Sequence, residues 1–93
     1  MAELVIIAYD TPDDKRRLEI ANALENFGDR VQYSVFEARL DAAQAERMRQ
    51  CLERIVDPAE DGVRIYRICG ACERRAAILG KGELLGKPDV FIL

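Results

Sequence analysis

Residues 4–17 read LVIIAYDTPDDKRR, and the fold follows from how this stretch divides. Leu4, Val5, Ile6, Ile7 and Ala8 contain no polar member, which predicts a strand buried on both faces. Thr11-Pro12-Asp13-Asp14 then reads as a helix start. Thr11 is suited to capping, Pro12 to the first helical position, and Asp13 and Asp14 to the positive end of the helix dipole. Asp10 is thereby placed at the carboxyl end of a central strand, on the rim where open sheets collect ligands. Lys15, Arg16 and Arg17 follow at once, although cations in the first turns oppose the dipole at a cost of about 0.3–1 kcal/mol each. Two compensations are open: an anion such as phosphate, or surface pairing with Asp13 and Asp14.

Working outward, the first helix is expected over about Pro12 to Phe27, with Leu18, Ala21, Leu24 and Phe27 as its seam and Ile20 and Ala23 widening it. Gly28 is expected to end it as a left-handed cap. In residues 30–40, RVQYSVFEARL, the residues Val31, Tyr33 and Val35 alternate with polar neighbours; from Phe36 the phase flips to Phe36, Ala38 and Leu40. A tight hairpin or a bulged single strand would each produce that flip. Asp41 and Gln44 have capping-box spacing for a second helix with Ala45, Met48, Leu52 and Ile55 as its seam, stopped by Asp57-Pro58. Met48 and Cys51 read as core fillers. Residues 59–62, AEDG, read as an acidic solvated turn, Val63 to Ile68 as a strand, and Ala76 to Leu79 as another. Gly80, Gly82 and Gly86 lead pliably to an apolar strand over Asp89 to Leu93, which must pair with its own sheet or cross to a partner's. The order β-α-β-β-α-β with an extra C-terminal strand predicts an α+β, ferredoxin-like sandwich forming a single domain over residues 1–93.

Composition narrows the chemistry. A chain of 93 residues buries roughly 60–65% of its unfolded surface, a modest core that dimerisation would help. The formal charge of −3 excludes a uniformly basic nucleic-acid binder and leaves only local arginine clusters. No apolar run reaches the roughly 20 residues of a membrane span, and the expected location is cytoplasmic. Without histidine, the usual general base and the usual Ser or Cys triads are missing. No GxxxxGK[ST] or GxGxxG motif is present. Cys69-Gly70-Ala71-Cys72 is best read as a structural turn, with zinc or redox chemistry as the other readings of its spacing. Metal-assisted work on phosphate fits what remains: magnesium uses few protein oxygens, and a two-fold dimer would supply Asp10 twice. The plainer reading of Asp10 is a cap on the following turn.

The residues also resemble a known family. Ala8-Tyr9-Asp10, then Asp13 to Arg17, then Arg30-Val31-Gln32-Tyr33-Ser34-Val35-Phe36-Glu37, is similar to the Cas-two family of small CRISPR-associated nucleases. Asp57-Pro58, Asp61 to Tyr66, Cys69 with Cys72, Ile78-Leu79-Gly80 and Asp89-Val90-Phe91 follow the same course, so the resemblance spans nearly the whole chain. It implies a ferredoxin-like homodimer in CRISPR immunity that acts in spacer acquisition. Such a dimer bridges the integrase partner and carries DNA. It also implies a metal-dependent endonuclease acting on single-stranded RNA or duplex DNA with magnesium, or manganese in its place. By that resemblance Asp10 is the metal ligand and, with Tyr9, the catalytic pair, while Arg16, Arg17, Arg30 and Phe36 contact nucleic acid or shape the site. Glu19 stands where some members carry a further basic residue, which points away from strong RNA cleavage. A non-catalytic DNA-binding scaffold is the alternative, and the segment from Glu83 to Leu93 is the expected grip on the integrase.

Overall fold

The structure, a computed structural model, describes residues 2–82. Its elements run β1 (Glu3–Asp10), α1 (Asp14–Glu25), β2 (Gly28–Gln32), β3 (Val35–Leu40), α2 (Ala42–Glu53), β4 (Gly62–Ile68) and α3 (Gly70–Glu73). The sheet order is β2-β3-β1-β4, with β1 antiparallel to both neighbours. This is the expected ferredoxin-like α+β arrangement, and it puts β1 in the middle. The expected strand at Asp89 to Leu93 lies outside the described residues.

Alternation along β1 divides the sheet into two faces. Val5, Ile7 and Tyr9 join Ile20, Ala21 and Leu24 of α1, Met48 and Leu52 of α2, and Phe36, Ala38 and Leu40 of β3 in one buried core. Ile6, Ala8 and Asp10 point the other way. The registers carry that opposite face to Tyr66 and Arg64 of β4 and to Glu37 and Val35 of β3. The strand is therefore buried on its core face, while Ile6 and Ala8 stay half-buried on the other. Leu4 is buried despite pointing away from the core, because α3 packs against β1 and Glu73 binds Arg39, the residue opposite Leu4.

Helix α1 starts later than its sequence suggests. Asp13, not Thr11, is the N-cap and accepts from the Arg16 backbone N–H at 2.8 Å, so Pro12 lies before the helix. Thr11 is withdrawn from capping because its hydroxyl donates to Asp61 and accepts from the Asp13 N–H. Leu18, expected in the seam, is 62% exposed, whereas Ile20 is fully buried. Nor is Gly28 a left-handed cap: α1 ends at Asn26 in ordinary right-handed geometry, and Gly28 opens β2. A Cβ on Gly28 would fall 2.1 Å from the Glu37 carbonyl oxygen, so close strand approach is what requires glycine there.

The phase flip at Phe36 is a hairpin. β2 and β3 are separate strands joined at Tyr33-Ser34, with a register irregularity between Arg30 and Gln32. β2 is an edge strand, so Val31 and Tyr33 are exposed rather than half-buried, at 44% and 72%. The capping box of α2 forms in both directions: Gln44 N–H to Asp41 at 2.8 Å, and Asp41 N–H to the Gln44 side chain at 2.9 Å. Met48 is fully buried, as a core filler should be. Near the end, Cys69 to Cys72 does form a turn, the single helical turn that opens α3, whereas Ile78 makes a single bridge where a strand over Ala76 to Leu79 is expected. Among the described residues, no helix is long and apolar enough to cross a membrane.

Candidate functional site

β1 carries Asp10 to the end of the sheet and leaves it exposed. Its register partner on β4 is Gly62, so no side chain stands opposite the carboxylate. Among the described residues the Asp10 carboxylate makes no hydrogen bond or ion pair, and the turn that follows is held by Thr11, Asp13 and Asp61 instead. Asp10 does not act as a cap. With Ala8, Tyr9, Gly62 and Arg64 it lines an open concavity of about 370 Å³. Arg64 sits opposite Ala8, one step along the same face from Asp10, and forms no ion pair among the described residues. Sequence reasoning missed it. The signal was the alternation of Val63 to Ile68, which places Arg64 and Tyr66 on one face once β4 is paired with β1.

A second concavity, about 400 Å³, lies on the helix side of the same strand end and is lined by Tyr9, Asp14, Arg17, Leu18, Ala21, Arg30 and Tyr33. Tyr9 borders both concavities. Its ring is buried, its hydroxyl donates to the Tyr33 carbonyl at 3.4 Å, and it stands 6.2 Å from the Phe36 ring. Arg17 donates to the Asp14 carboxylate and, at 2.6 Å, to the Thr11 carbonyl. These bonds hold its guanidinium over the β1–α1 turn while leaving it partly exposed. The guanidinium of Arg30 lies 5.4 Å from the Phe36 ring centroid, a cation–π contact that fixes its direction. Phe36 itself is fully buried. Its part is to support Arg30 and Tyr9 from below, and the expected direct contact with nucleic acid is blocked by the core around it.

Arg16 is set apart from the other arginines. Its Nε donates to Asp61 at 2.8 Å and its Nη2 to Asp61 at 3.2 Å and Glu60 at 3.0 Å, with Asp13 at 3.4 Å from Nη1. The Asp61 side chain is fully enclosed, and it also accepts from Thr11 and from the Asp57 N–H. The Arg16 guanidinium, helped by Thr11 and the Asp57 amide, holds the Asp61 carboxyl down at about 2. The same three carboxylates push Arg16 upward. The acidic turn is thus tied to α1 by an ion-pair network rather than left solvated. Arg16 is saturated within the chain, while Arg17, Arg30 and Arg64 face the two concavities.

For a divalent cation, the concavity at the end of β1 offers one carboxylate among the described residues, that of Asp10. Among the described residues no group of three or more His, Cys, Asp or Glu side chains could hold a metal ion. Magnesium fits such a donor set only as a half-site, because it keeps several waters and often takes one or two carboxylates.

Comparison with known proteins bears on the family and the fold. Residues 2–76 match the family model described as CRISPR associated protein Cas2. The chain is 42% identical over 93 residues to a CRISPR-associated endoribonuclease Cas2 of Chloroflexus aurantiacus, covering both chains completely. It is also 42% identical over 90 residues to a CRISPR-associated endonuclease Cas2 of Thermus thermophilus, covering 97% of this chain and 96% of that one. In structure it is similar to Streptococcus pyogenes Cas2 in its crystal form at pH 6.5, with a TM-score of 0.71 and 30% identity over 83% of this chain and 99% of that one. With its fold and its sequence in agreement, the chain belongs to the CRISPR-associated Cas2 family.

Proposed function

We propose that the chain works as a homodimer in CRISPR spacer acquisition, binding nucleic acid, bridging the integrase, and cleaving phosphodiester bonds with magnesium at Asp10. The observation that carries the catalytic part is the exposed, unpaired Asp10 carboxylate beside Arg64 on the face of the sheet turned away from α1 and α2. Ile6, Ala8, Val35 and Tyr66 share that face, and Tyr66 is 46% exposed. A second copy packed there about a two-fold axis covers this apolar strip and brings the two Asp10 carboxylates to one interface. Each chain then completes the other's half-site.

Bound there, magnesium supplies a Lewis acid and a water of lowered pKa. The chain's own residues do the rest. Asp10 holds the cation, and Arg64 faces the non-bridging phosphate oxygens. Arg17 and Arg30 grip the backbone where the strand passes to the helix side, and exposed Tyr33 offers a face for base stacking. Tyr9 holds the hairpin turn in place from between the two concavities rather than transferring a proton. Arg16, with its carboxylates filled, shapes the β1–α1 turn. The relatives are named both endonuclease and endoribonuclease, so duplex DNA and single-stranded RNA are both substrates to test.

The scaffold reading has one observation in its favour: among the described residues a single carboxylate lines the concavity at the end of β1, which is a sparse metal site. Wild type and Asp10→Ala, each checked for dimer formation, separate the two when incubated with labelled RNA and duplex DNA in magnesium, manganese or chelator. Metal-dependent cleavage lost in the variant is the expected result. Tight binding by both proteins without cleavage would assign the chemistry to the integrase and leave this chain the DNA-carrying bridge.

A further inference from the structure

Cys69 and Cys72 take no part in the proposed site, yet the fold prepares them as a pair. Cys69 ends the extended path of β4 with φ −68° and ψ 162°, and Cys72 lies in the single turn of α3 that follows. That turn is closed by the Glu73 N–H to the Cys69 carbonyl at 2.9 Å and by the Arg74 N–H to the Gly70 carbonyl at 3.1 Å. It is pinned to the sheet by the Glu73–Arg39 ion pair. Both cysteines are free and exposed, whereas Cys51 on α2 is half-buried and stands alone in its helix. The Cys72 amide and thiol hold the Cys69 thiol below its ordinary value, and the same contact pushes Cys72 up.

We propose that Cys69 and Cys72 form a reversible dithiol–disulfide site that exchanges with low-molecular-weight disulfides. The Cys69 thiolate attacks one sulfur of the small disulfide, forming a mixed disulfide and expelling one thiolate. The Cys72 sulfur then attacks the Cys69 sulfur, passing its proton to the second departing thiolate. Cys69–Cys72 closes, two electrons leave the protein, and two small thiols result. The unequal thiols set the order: Cys69 attacks, and Cys72 resolves. Gly70 and Ala71 between them add no bulk that would hold the sulfurs apart, and the turn already returns the chain at the three-residue spacing where side chains meet. This site is independent of Asp10, so it stands or falls apart from the nuclease reading.

The test equilibrates the full chain in glutathione buffers of graded oxidised-to-reduced ratio, quenches in acid, and alkylates the remaining thiols. Intact mass and peptide mapping then read the result. Oxidising buffers are expected to remove two of the three alkylatable thiols together, mapped to Cys69 and Cys72, with Cys51 alkylated throughout. Dithiothreitol should restore all three. In Cys72→Ser a glutathione adduct should accumulate on Cys69 and persist, and Cys51→Ser should behave as wild type. Retention of all thiols at the most oxidising ratio would overturn the proposal, as would equal glutathione adducts on all three. So would stoichiometric zinc that blocks alkylation until it is chelated, because the thiolates would then be ligands.

Discussion

Arg16 and Asp61 meet 45 residues apart in sequence as a two-pronged ion pair, Nε to Oδ2 at 2.8 Å and Nη2 to Oδ1 at 3.2 Å. The pair fastens the start of α1 to the turn before β4, and so fixes both chain segments that flank Asp10. Asp61 is the acceptor at the hub, taking bonds from Arg16, Thr11 and the Asp57 amide. This relationship separates the neighbouring arginines by role: Arg16 is committed to the fold, and Arg17, held by Asp14 and the Thr11 carbonyl, stays partly exposed at the concavity.

The pH dependence of stability should reflect that hub. The Asp61 carboxyl lies at about 2 in the folded chain against an ordinary 3.8, so the unfolded chain takes up the proton first as pH falls. Its stabilisation is therefore complete above about pH 4 and is lost as pH falls toward 2. Thermal melts between these limits should show the loss in wild type, and Asp61→Asn should start lower at neutral pH and lose that part of the slope.

Nucleic-acid binding should sort the arginines. Arg17→Ala, Arg30→Ala and Arg64→Ala should each weaken binding and lower the salt slope by about 1, with little change in melting temperature. Arg16→Ala should do the reverse, lowering the melting temperature chiefly because it strands Asp61. Fluorescence-anisotropy titrations at several salt concentrations, beside melting curves, check all four.

Phe36 supports two functional residues from within the core. Phe36→Ala should cost about 3–5 kcal/mol of stability in denaturant unfolding. Phe36→Leu should keep most of that stability but still weaken binding, since Arg30 loses the ring it lies over. Gly28→Ala should cost about 1–3 kcal/mol, because the new Cβ meets the Glu37 carbonyl.

The face turned away from α1 and α2 gives a prediction about assembly. Tyr66→Glu places a charge in the middle of the proposed contact, where a two-fold axis would bring it near its own copy. Sedimentation should show a dimer for wild type and a folded monomer for the variant, with metal-dependent cleavage lost along with the dimer.

What the sequence made legible was what could be settled locally or by strict period. The Asp41–Gln44 capping box lies within four residues, and both of its bonds form. Phe36, Ala38 and Leu40 follow a clean two-residue period, and all three are buried. Where two causes share one residue type, the reading failed. Gly28 fits a helix cap and a close strand contact equally well, and only the Glu37 carbonyl decides between them. Leu18 and Ile20 are both apolar in one helix, and which of them faces the core depends on the placement of the sheet. Val31 and Tyr33 alternate like a half-buried strand, but Val31 lies on the edge strand β2 and Tyr33 in the turn after it. At the site, Asp10 and the Arg16-Arg17 pair were legible from the strand end and the helix start that follows it, and Arg30 came from the resemblance. The division of labour between Arg16 and Arg17, and the presence of Arg64, depended on contacts with the distant β4 region.

Whether two Asp10 carboxylates share one divalent cation is read by counting bound manganese. Electron paramagnetic resonance of wild type and Asp10→Ala, both confirmed as dimers and titrated with manganese, reads the number of tight sites per chain. The account expects one ion for every two chains in wild type and none in the variant. A full ion per chain, or binding that survives Asp10→Ala, would contradict it.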